Sequence, residues 1–112
     1  MTDAVKAKAE ELKYTILNSE EYKNFDMYRR KLHEHPELME KVKHFRISNV
    51  CMQIEKAASG NVDVQRFASE NIELLDNSLV RDFLNSELIL CRMMQKINSI
   101  LVSDIELELD FL

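Results

Sequence analysis

The chain has 112 residues, of which 46% are apolar, and its net charge is −5. This length suits one domain, and the apolar fraction lies well above that of disordered chains. No apolar run is long enough to span a bilayer, and the N-terminal segment lacks the apolar core of a signal peptide. We therefore expect a cytoplasmic protein that does not contact the membrane.

The scarcity of turn-forming residues predicts an all-α fold. The chain contains one glycine and one proline, although tight turns and rigid loops normally use both. Pro36 precedes one apolar-periodic run and Gly60 follows it, as expected at the two ends of a helix. We predict about five helices in an antiparallel, bundle-like array, with two long helices that are intertwined or packed in an oligomer.

The first two predicted helices follow each other closely. The first runs from about Asp3 to Leu17, with Thr2 or Asp3 as its cap. Ser19 caps the second, which ends before His35 because a residue that precedes proline is disfavoured in the α region. The inward-facing residues are Val5, Ala9, Leu12 and Ile16 in the first helix, and Tyr22, Phe25, Tyr28 and Leu32 in the second.

The third predicted helix, from Pro36 to Ser59, has two apolar stripes. The first comprises Leu38, Val42, Phe45 and Met52, and the second comprises Ile47, Val50, Cys51, Ile54 and Ala58. A helix that is apolar on two sides is buried on two sides, either at a bundle centre or at a subunit interface. The second stripe leads us to expect a homo-oligomer, most simply a dimer.

The second half of the chain is predicted to hold a short and a long helix. Asn61 or Asp63 caps the fourth, whose inward residues are Val64, Phe67, Ala68, Leu74 and Leu75. The fifth runs from about Leu79 to Ser103 and carries a broad, nearly heptad seam. Residues 1–104 form the predicted domain. Residues 105–112 form an acidic and apolar tail that alternates with period two, as a strand or an extended docking segment does.

Glu87 lies on the apolar seam of the fifth helix, where a carboxylate is costly unless it has a partner. Three interpretations remain open: the side chain reaches water at the rim, it makes a buried polar contact that sets register or oligomeric state, or it takes part in catalysis. Arg29, Arg46 or Gln53 could be its partner. The candidate interface residues are Ile47, Val50, Ile54, Glu87, Leu90, Met94 and Ile97.

Catalytic and metal-binding patterns are weak. His33, His35 and His44 do not form the Glu-x-x-His or His-Glu-x-x-His patterns of metal sites. Cys51 and Cys91 lie in apolar helical faces, so we expect buried, reduced thiols. No glycine-rich phosphate loop can be built from one glycine. We predict no catalytic residues, no metal and no cofactor, and hence a protein that is not an enzyme.

The basic residues are concentrated in the first half of the chain. Residues 1–60 carry eleven Lys and Arg against ten Asp and Glu, whereas residues 61–112 carry four against ten. The candidate basic patch comprises Arg29, Arg30, Lys31, Lys41, Lys43 and Arg46. A solvated helix face explains such residues without a nucleic acid, and the acidic second half argues against steering towards one.

Taken in order, several short motifs resemble those of the YlbF/YmcA/YheA family of small helical bacterial proteins. They are Ser19-x-x-Tyr22-x-x-Phe25, His35-Pro36-Glu37-Leu38, Phe45-Arg46, Gln53, Gly60, Asn77-Ser78-Leu79-Val80-Arg81-Asp82-Phe83-Leu84 and Ser86-Glu87-Leu88. The family pattern has aspartate, proline and alanine where this chain has His35, Ser78 and Ser86. All three departures are capping or small-residue changes that the fold tolerates.

The resemblance implies a cytoplasmic, non-enzymatic protein that forms oligomers. The family members YlbF and YmcA act with YaaT as accessory factors of ribonuclease Y, and so affect mRNA maturation, competence, biofilm formation and sporulation. Some relatives hold iron–sulfur clusters, but two cysteines cannot supply a four-cysteine cluster. We predict a regulatory adaptor whose partners are a second copy, related family members, a YaaT-like protein or ribonuclease Y. Direct RNA contact, or a YheA-type protein of unassigned function, is the alternative.

Overall fold

The computed structural model describes residues 1–60 and 63–105, and the regular structure in this part of the chain is entirely α-helical. In chain order the helices are α1 (Asp3–Leu17), α2 (Glu20–His33), α3 (Pro36–Ser59), α4 (Val64–Glu70), α5 (Ile72–Leu75) and α6 (Ser78–Val102). The predicted all-α class is therefore confirmed. Of the tail predicted to pair or dock, residues 105–112, all but the first residue lie outside the described residues.

The described chain has six helices where we expected about five, because Asn71 divides the predicted fourth helix into α4 and α5. The Asn71 side-chain amide donates to the carbonyl of Phe67 at 2.8 Å, and its backbone N–H donates to the carbonyl of Ala68 at 3.2 Å. These bonds satisfy the last carbonyls of α4 and end the helix, since asparagine competes well for backbone partners.

Side-chain hydrogen bonds at the starts of the helices show which of the predicted N-cap residues act as caps. Ser19 lies between α1 and α2, where its hydroxyl donates to the Ile16 carbonyl at 2.6 Å and accepts from the Tyr22 N–H at 3.2 Å. The predicted cap of α2 is thus confirmed. Thr2 is the N-cap of α1, but its side chain makes no capping hydrogen bond. The Asp63 carboxylate caps α4 by accepting from the Arg66 N–H at 2.9 Å.

The long helix α3 starts at Pro36 and ends at Ser59 with Gly60 as its C-cap, as predicted. Gly60 has φ of 70°, and its N–H donates to the carbonyl of Lys56 at 2.8 Å. This left-handed conformation is the reason for glycine at this position. Space is not the reason, because a Cβ added there would meet nothing within 4 Å.

The chain divides into two compact units, of which the second, Asp26–Asn85, contains the buried apolar core. The core residues are Leu32, Met39, Val42, Met52, Val80 and Phe83. The rings of Phe45 and Phe67 stack beside this core with centroids 5.8 Å apart. The first stripe of α3 is therefore inward-facing, as predicted.

The first unit comprises Met1–Phe25 and Ser86–Leu112. None of its described apolar side chains is buried; Leu12, Ile16, Leu90 and Ile97 are half-buried at most. Among the described residues of this unit, one is buried, and it is the polar Ser86. A group of helices with this much apolar sequence and no buried apolar residue of its own is unusual.

Several residues that the sequence placed inside are exposed. In the described part of the chain the second stripe of α3 is exposed to solvent, so the alternative of a bundle-centre helix buried on two sides is wrong. Cys51 and Cys91 are free, as expected, but both are exposed rather than buried. Val64 and Ala68 of α4 are also exposed, because the seven-residue α4 turns only Phe67 inwards.

Candidate interaction surfaces

Three branched apolar side chains form an exposed surface on α3, which we term the α3 face: Ile47, Val50 and Ile54. Their steps of three and four residues place them on one side of the helix. Their exposed fractions are 67%, 56% and 63%. Isolated exposed apolar residues are ordinary, but three on one side of a helix form a contiguous patch, which is typical of a protein interaction site.

A second apolar surface lies within the first unit, where residues of α1 and α6 line an open groove of about 470 Å³. We term it the α1–α6 groove. Its walls include Leu12 and Ile16 of α1, and Leu90, Met94, Ile97 and Leu101 of α6. Lys13 and Tyr22 are the lining residues that carry polar groups. The groove is therefore suited to an apolar occupant and offers little to a polar ligand.

The structure places all the candidate interface residues except Glu87 on one or the other of these two surfaces. Ile47, Val50 and Ile54 belong to the α3 face, whereas Leu90, Met94 and Ile97 belong to the α1–α6 groove. Sequence reasoning missed the α1 wall of the groove, because it assigned Leu12 and Ile16 to the interior. An amphipathic stripe has the same sequence pattern whether its own chain or a partner covers it.

Glu87 is half-buried in α6 and follows the buried Ser86. It takes part in an interaction, so it is not an unpartnered carboxylate. It does not line the groove that contains Leu90 and Met94. Its position is intermediate between a rim residue in water and a fully buried polar contact.

The arginines of the basic patch have local partners. Arg29 and Arg30 both contact the carboxylate of Asp26, the latter with Nε at 3.0 Å from Oδ2. The guanidinium of Arg46 lies 5.1 Å from the ring centroid of the buried Phe83. The Asp26 carboxylate therefore reduces the positive charge that Arg29 and Arg30 present to a phosphate backbone, whereas Arg46 keeps its charge beside the Phe83 ring.

The lysines of the patch are only partly engaged. Lys31 lies over the ring of Tyr28 at 5.8 Å, and Lys43 is 3.9 Å from the Glu40 carboxylate. Both contacts are made by exposed lysines, for which such pairs contribute little. Lys41 is exposed as well. The three lysines are thus exposed cations of this patch, and Arg30 is exposed as well, although it pairs with Asp26.

The described residues show no arrangement typical of a metal centre. His44 Nδ1 lies 3.3 Å from the Ser48 hydroxyl. Within 1–60 and 63–105, no three His, Cys, Asp or Glu side chains converge as metal ligands. In the same ranges, no helix has the length and apolar character needed to cross a bilayer.

Comparison with known proteins places the chain in a family. A family model described as "Control of competence regulator ComK, YlbF/YmcA" matches residues 5–106, nearly the whole chain. No curated protein and no solved structure matches the sequence significantly. The match extends over both units and over both apolar surfaces. The chain therefore belongs to the YlbF/YmcA family, which is described by its role in controlling the competence regulator ComK.

Proposed function

We propose that this protein is a non-enzymatic regulatory adaptor that acts by protein–protein contact. In this proposal it belongs to a complex that modulates ribonuclease Y-dependent mRNA processing, and through it developmental control such as competence, biofilm formation and sporulation. Family membership supports the regulatory role. The exposed α3 face is the observation that supports the adaptor mechanism.

The α3 face is suited to a helical partner. It lies on a 24-residue helix whose opposite side already contributes Val42 and Met52 to a buried core. Because that core fixes α3, the exposed side is a preformed surface that needs little ordering on binding. Covering apolar area yields about 25 cal/mol per Å². A partner helix with apolar residues at matching intervals would bury all three side chains at once.

The partners in this proposal are related family members, a YaaT-like protein or ribonuclease Y itself. These identities come from the family resemblance, whereas the choice of surface is supported by the exposure of the α3 face. A charge on the α3 face would be desolvated by any of these partners, so one variant tests the surface for all of them.

Affinity capture from the native host, followed by mass spectrometry, tests the proposal. Tagged wild-type protein should capture ribonuclease Y or its accessory proteins, and I54E should not. I72E is the matched control, since Ile72 is 65% exposed against 63% for Ile54 and lies outside the α3 face. The adaptor proposal fails if wild type captures none of these proteins, and the α3 face is wrong if I54E captures them as well as I72E does.

A further inference from the structure

The α3 face continues into a cleft between α3 and α4, which we term the α3–α4 cleft. This open cleft has a volume of about 730 Å³, and all of its described lining residues belong to the second unit. Its apolar lining consists of Ile47, Met52 and Phe67. Ile47 thus belongs to both surfaces, so a partner that covers the α3 face also reaches the cleft.

The α3–α4 cleft carries an excess of negative charge. Its described lining includes the carboxylates of Glu55, Asp63 and Glu70 and the guanidinium of Arg66. With His44 counted as neutral, three negative charges against one positive charge leave an excess of two. Arg66 Nε lies 3.1 Å from Glu70 Oε1, so this ion pair accounts for the positive charge. The charges of Glu55 and Asp63 therefore have no ion-pair partner within residues 1–60 and 63–105.

The negative charge lies on one side of the α3 face. The polar α3 residues that line the cleft follow each other at steps of four, three and four: His44, Ser48, Cys51 and Glu55. These steps place them in a stripe parallel to the α3 face, on the side of α4. In the same stretch of α3, the residues that flank the opposite side carry no carboxylate: Arg46, Gln53 and Ala57. The combined surface is therefore apolar along its centre and acidic along the edge next to α4.

We propose that the α3 face and the α3–α4 cleft together bind one amphipathic helix of a partner protein, whose apolar stripe is flanked by lysine or arginine side chains. This inference rests on the proposed function, because it names the kind of segment that the partner offers to the α3 face. The apolar stripe of the partner covers Ile47, Val50 and Ile54. Its basic side chains extend their alkyl stems over Ile47 and place their charges beside Glu55 and Asp63.

The charges of the cleft favour a basic helix over an acidic one. A helix with carboxylates on the side facing α4 would bring like charges together, which opposes binding. Glu55 and Asp63 are exposed, and each exposed ion pair strengthens binding at most about fivefold. The charges thus select among partners and orient them, whereas the apolar α3 face supplies most of the affinity.

The cleft by itself is a poor site for a small molecule. A small-ligand pocket buries most of the surface of its ligand, but Glu55, Asp63 and Arg66 are all exposed around this cleft. A helix lying along α3 from Ile47 to Ile54 follows about two helical turns, or roughly 10 Å. It would cover the exposed apolar side chains and reach the carboxylates at the same time.

Fluorescence anisotropy with two labelled synthetic helices tests the proposal. Both peptides have about 20 residues and carry leucines at alternating intervals of three and four. One has lysines on one side of the leucine stripe, and the other has glutamates at the same positions. A helix can lie on α3 in either direction, so charges on one side are sufficient. Wild type should bind the lysine peptide about five- to tenfold more tightly at low salt. Because exposed charges are screened, the difference should fall to within about twofold at about 1 M salt.

Variants are needed to assign this preference to the cleft, because the net charge of −5 also attracts a basic peptide. E55Q/D63N removes both unpaired charges, and asparagine caps α4 as well as aspartate does. This variant should reduce the preference to within about twofold. The matched control is E73Q/D82N, which removes two charges from exposed residues of the second unit outside the cleft lining. The control should keep a preference of at least about fivefold.

The apolar contact is tested separately. I54A should weaken the binding of both peptides by a similar factor, since it removes apolar area and no charge. I72A is the control, because Ile72 is similarly exposed but lies outside the α3 face, and it should leave both affinities within about twofold.

Four results would overturn the inference. Wild type binds neither peptide, or it binds both equally at low salt, or E55Q/D63N keeps the preference as fully as E73Q/D82N does. In the fourth, sedimentation equilibrium shows a wild-type dimer that I54E makes monomeric, which would mean that a second copy occupies the α3 face. The proposed function fails independently: if the host capture fails but the lysine peptide is preferred, the basic-helix site stands without the ribonuclease Y complex. If the capture succeeds but the peptides bind equally, the adaptor role stands and the basic-helix site is wrong.

Discussion

The guanidinium of Arg46 lies 5.1 Å from the ring centroid of Phe83, and this contact joins α3 to the first residues of α6. Phe83 is only 1% exposed, so one face of its ring is closed to solvent by an arginine rather than by an apolar side chain. Arg46 is half-buried, with its alkyl stem beside the core. Arg46 therefore has a structural role in addition to being a member of the basic patch.

Replacing Arg46 should destabilise the fold more than replacing an exposed arginine. We expect R46A to lower the free energy of unfolding by about 1–2 kcal/mol, because it removes a partly desolvated cation–π contact and the packing of the stem. R30A is the control, since the Arg30 side chain is 78% exposed and its ion pair with Asp26 should be worth at most about 0.5 kcal/mol. Urea unfolding of both variants measures the difference. Equal midpoints would contradict a structural role for Arg46.

Gly60 should be sensitive to conformation and not to size. G60A forces a Cβ into the left-handed region and should lower stability by about 1 kcal/mol. G60N should lose less, because asparagine enters this region more readily than alanine. Thermal unfolding monitored by circular dichroism compares the two. If the larger asparagine is the more destabilising, crowding rather than φ determines this position.

Glu87 should contribute more to stability than an exposed carboxylate. Because it is half-buried and has an interaction partner, we expect E87A to cost about 1–2 kcal/mol through the partner that it leaves behind. E73A, at an exposed position of α5, should change stability by less than about 0.5 kcal/mol. Chemical denaturation of both variants provides the comparison. Matching midpoints would mean that the Glu87 interaction adds nothing measurable.

Direct RNA binding should be weak. The net charge of −5 opposes RNA binding, and the Asp26 carboxylate already forms ion pairs with Arg29 and Arg30. Fluorescence anisotropy with a labelled single-stranded RNA at several salt concentrations measures this. A protein that neutralised four phosphates would show a log–log salt slope of about −3. We expect no binding at physiological salt; a slope of that size, lost in a K41Q/K43Q double variant, would instead support the RNA-contacting alternative.

The helix boundaries were largely predictable from sequence because they depend on local chemistry. Ser19, Pro36 and Gly60 each act through a hydrogen bond or a backbone angle that neighbouring residues determine. The break at Asn71 was missed because asparagine also occurs inside helices. Its effect became visible only through the bonds that its amide and N–H make at the end of α4.

Burial was less predictable than helicity. Val42 and Ile54 are both apolar residues of α3, yet one is fully buried and the other is 63% exposed. The apolar pattern of a helix does not show which of its sides packs against another helix, because that depends on tertiary packing. Cys91 illustrates the same limit: an apolar surrounding sequence suggested burial, and the structure exposes it.

The helix α6 contributes residues to both units, and its two ends differ in how far their side chains are buried. Val80 and Phe83 near its start are buried, whereas Ile100 and Val102 at its end are exposed. Amide hydrogens near the start should exchange only when the core of the second unit opens, and those near the end should exchange through local fraying. Amide hydrogen exchange along this one continuous helix would thus give two different opening free energies.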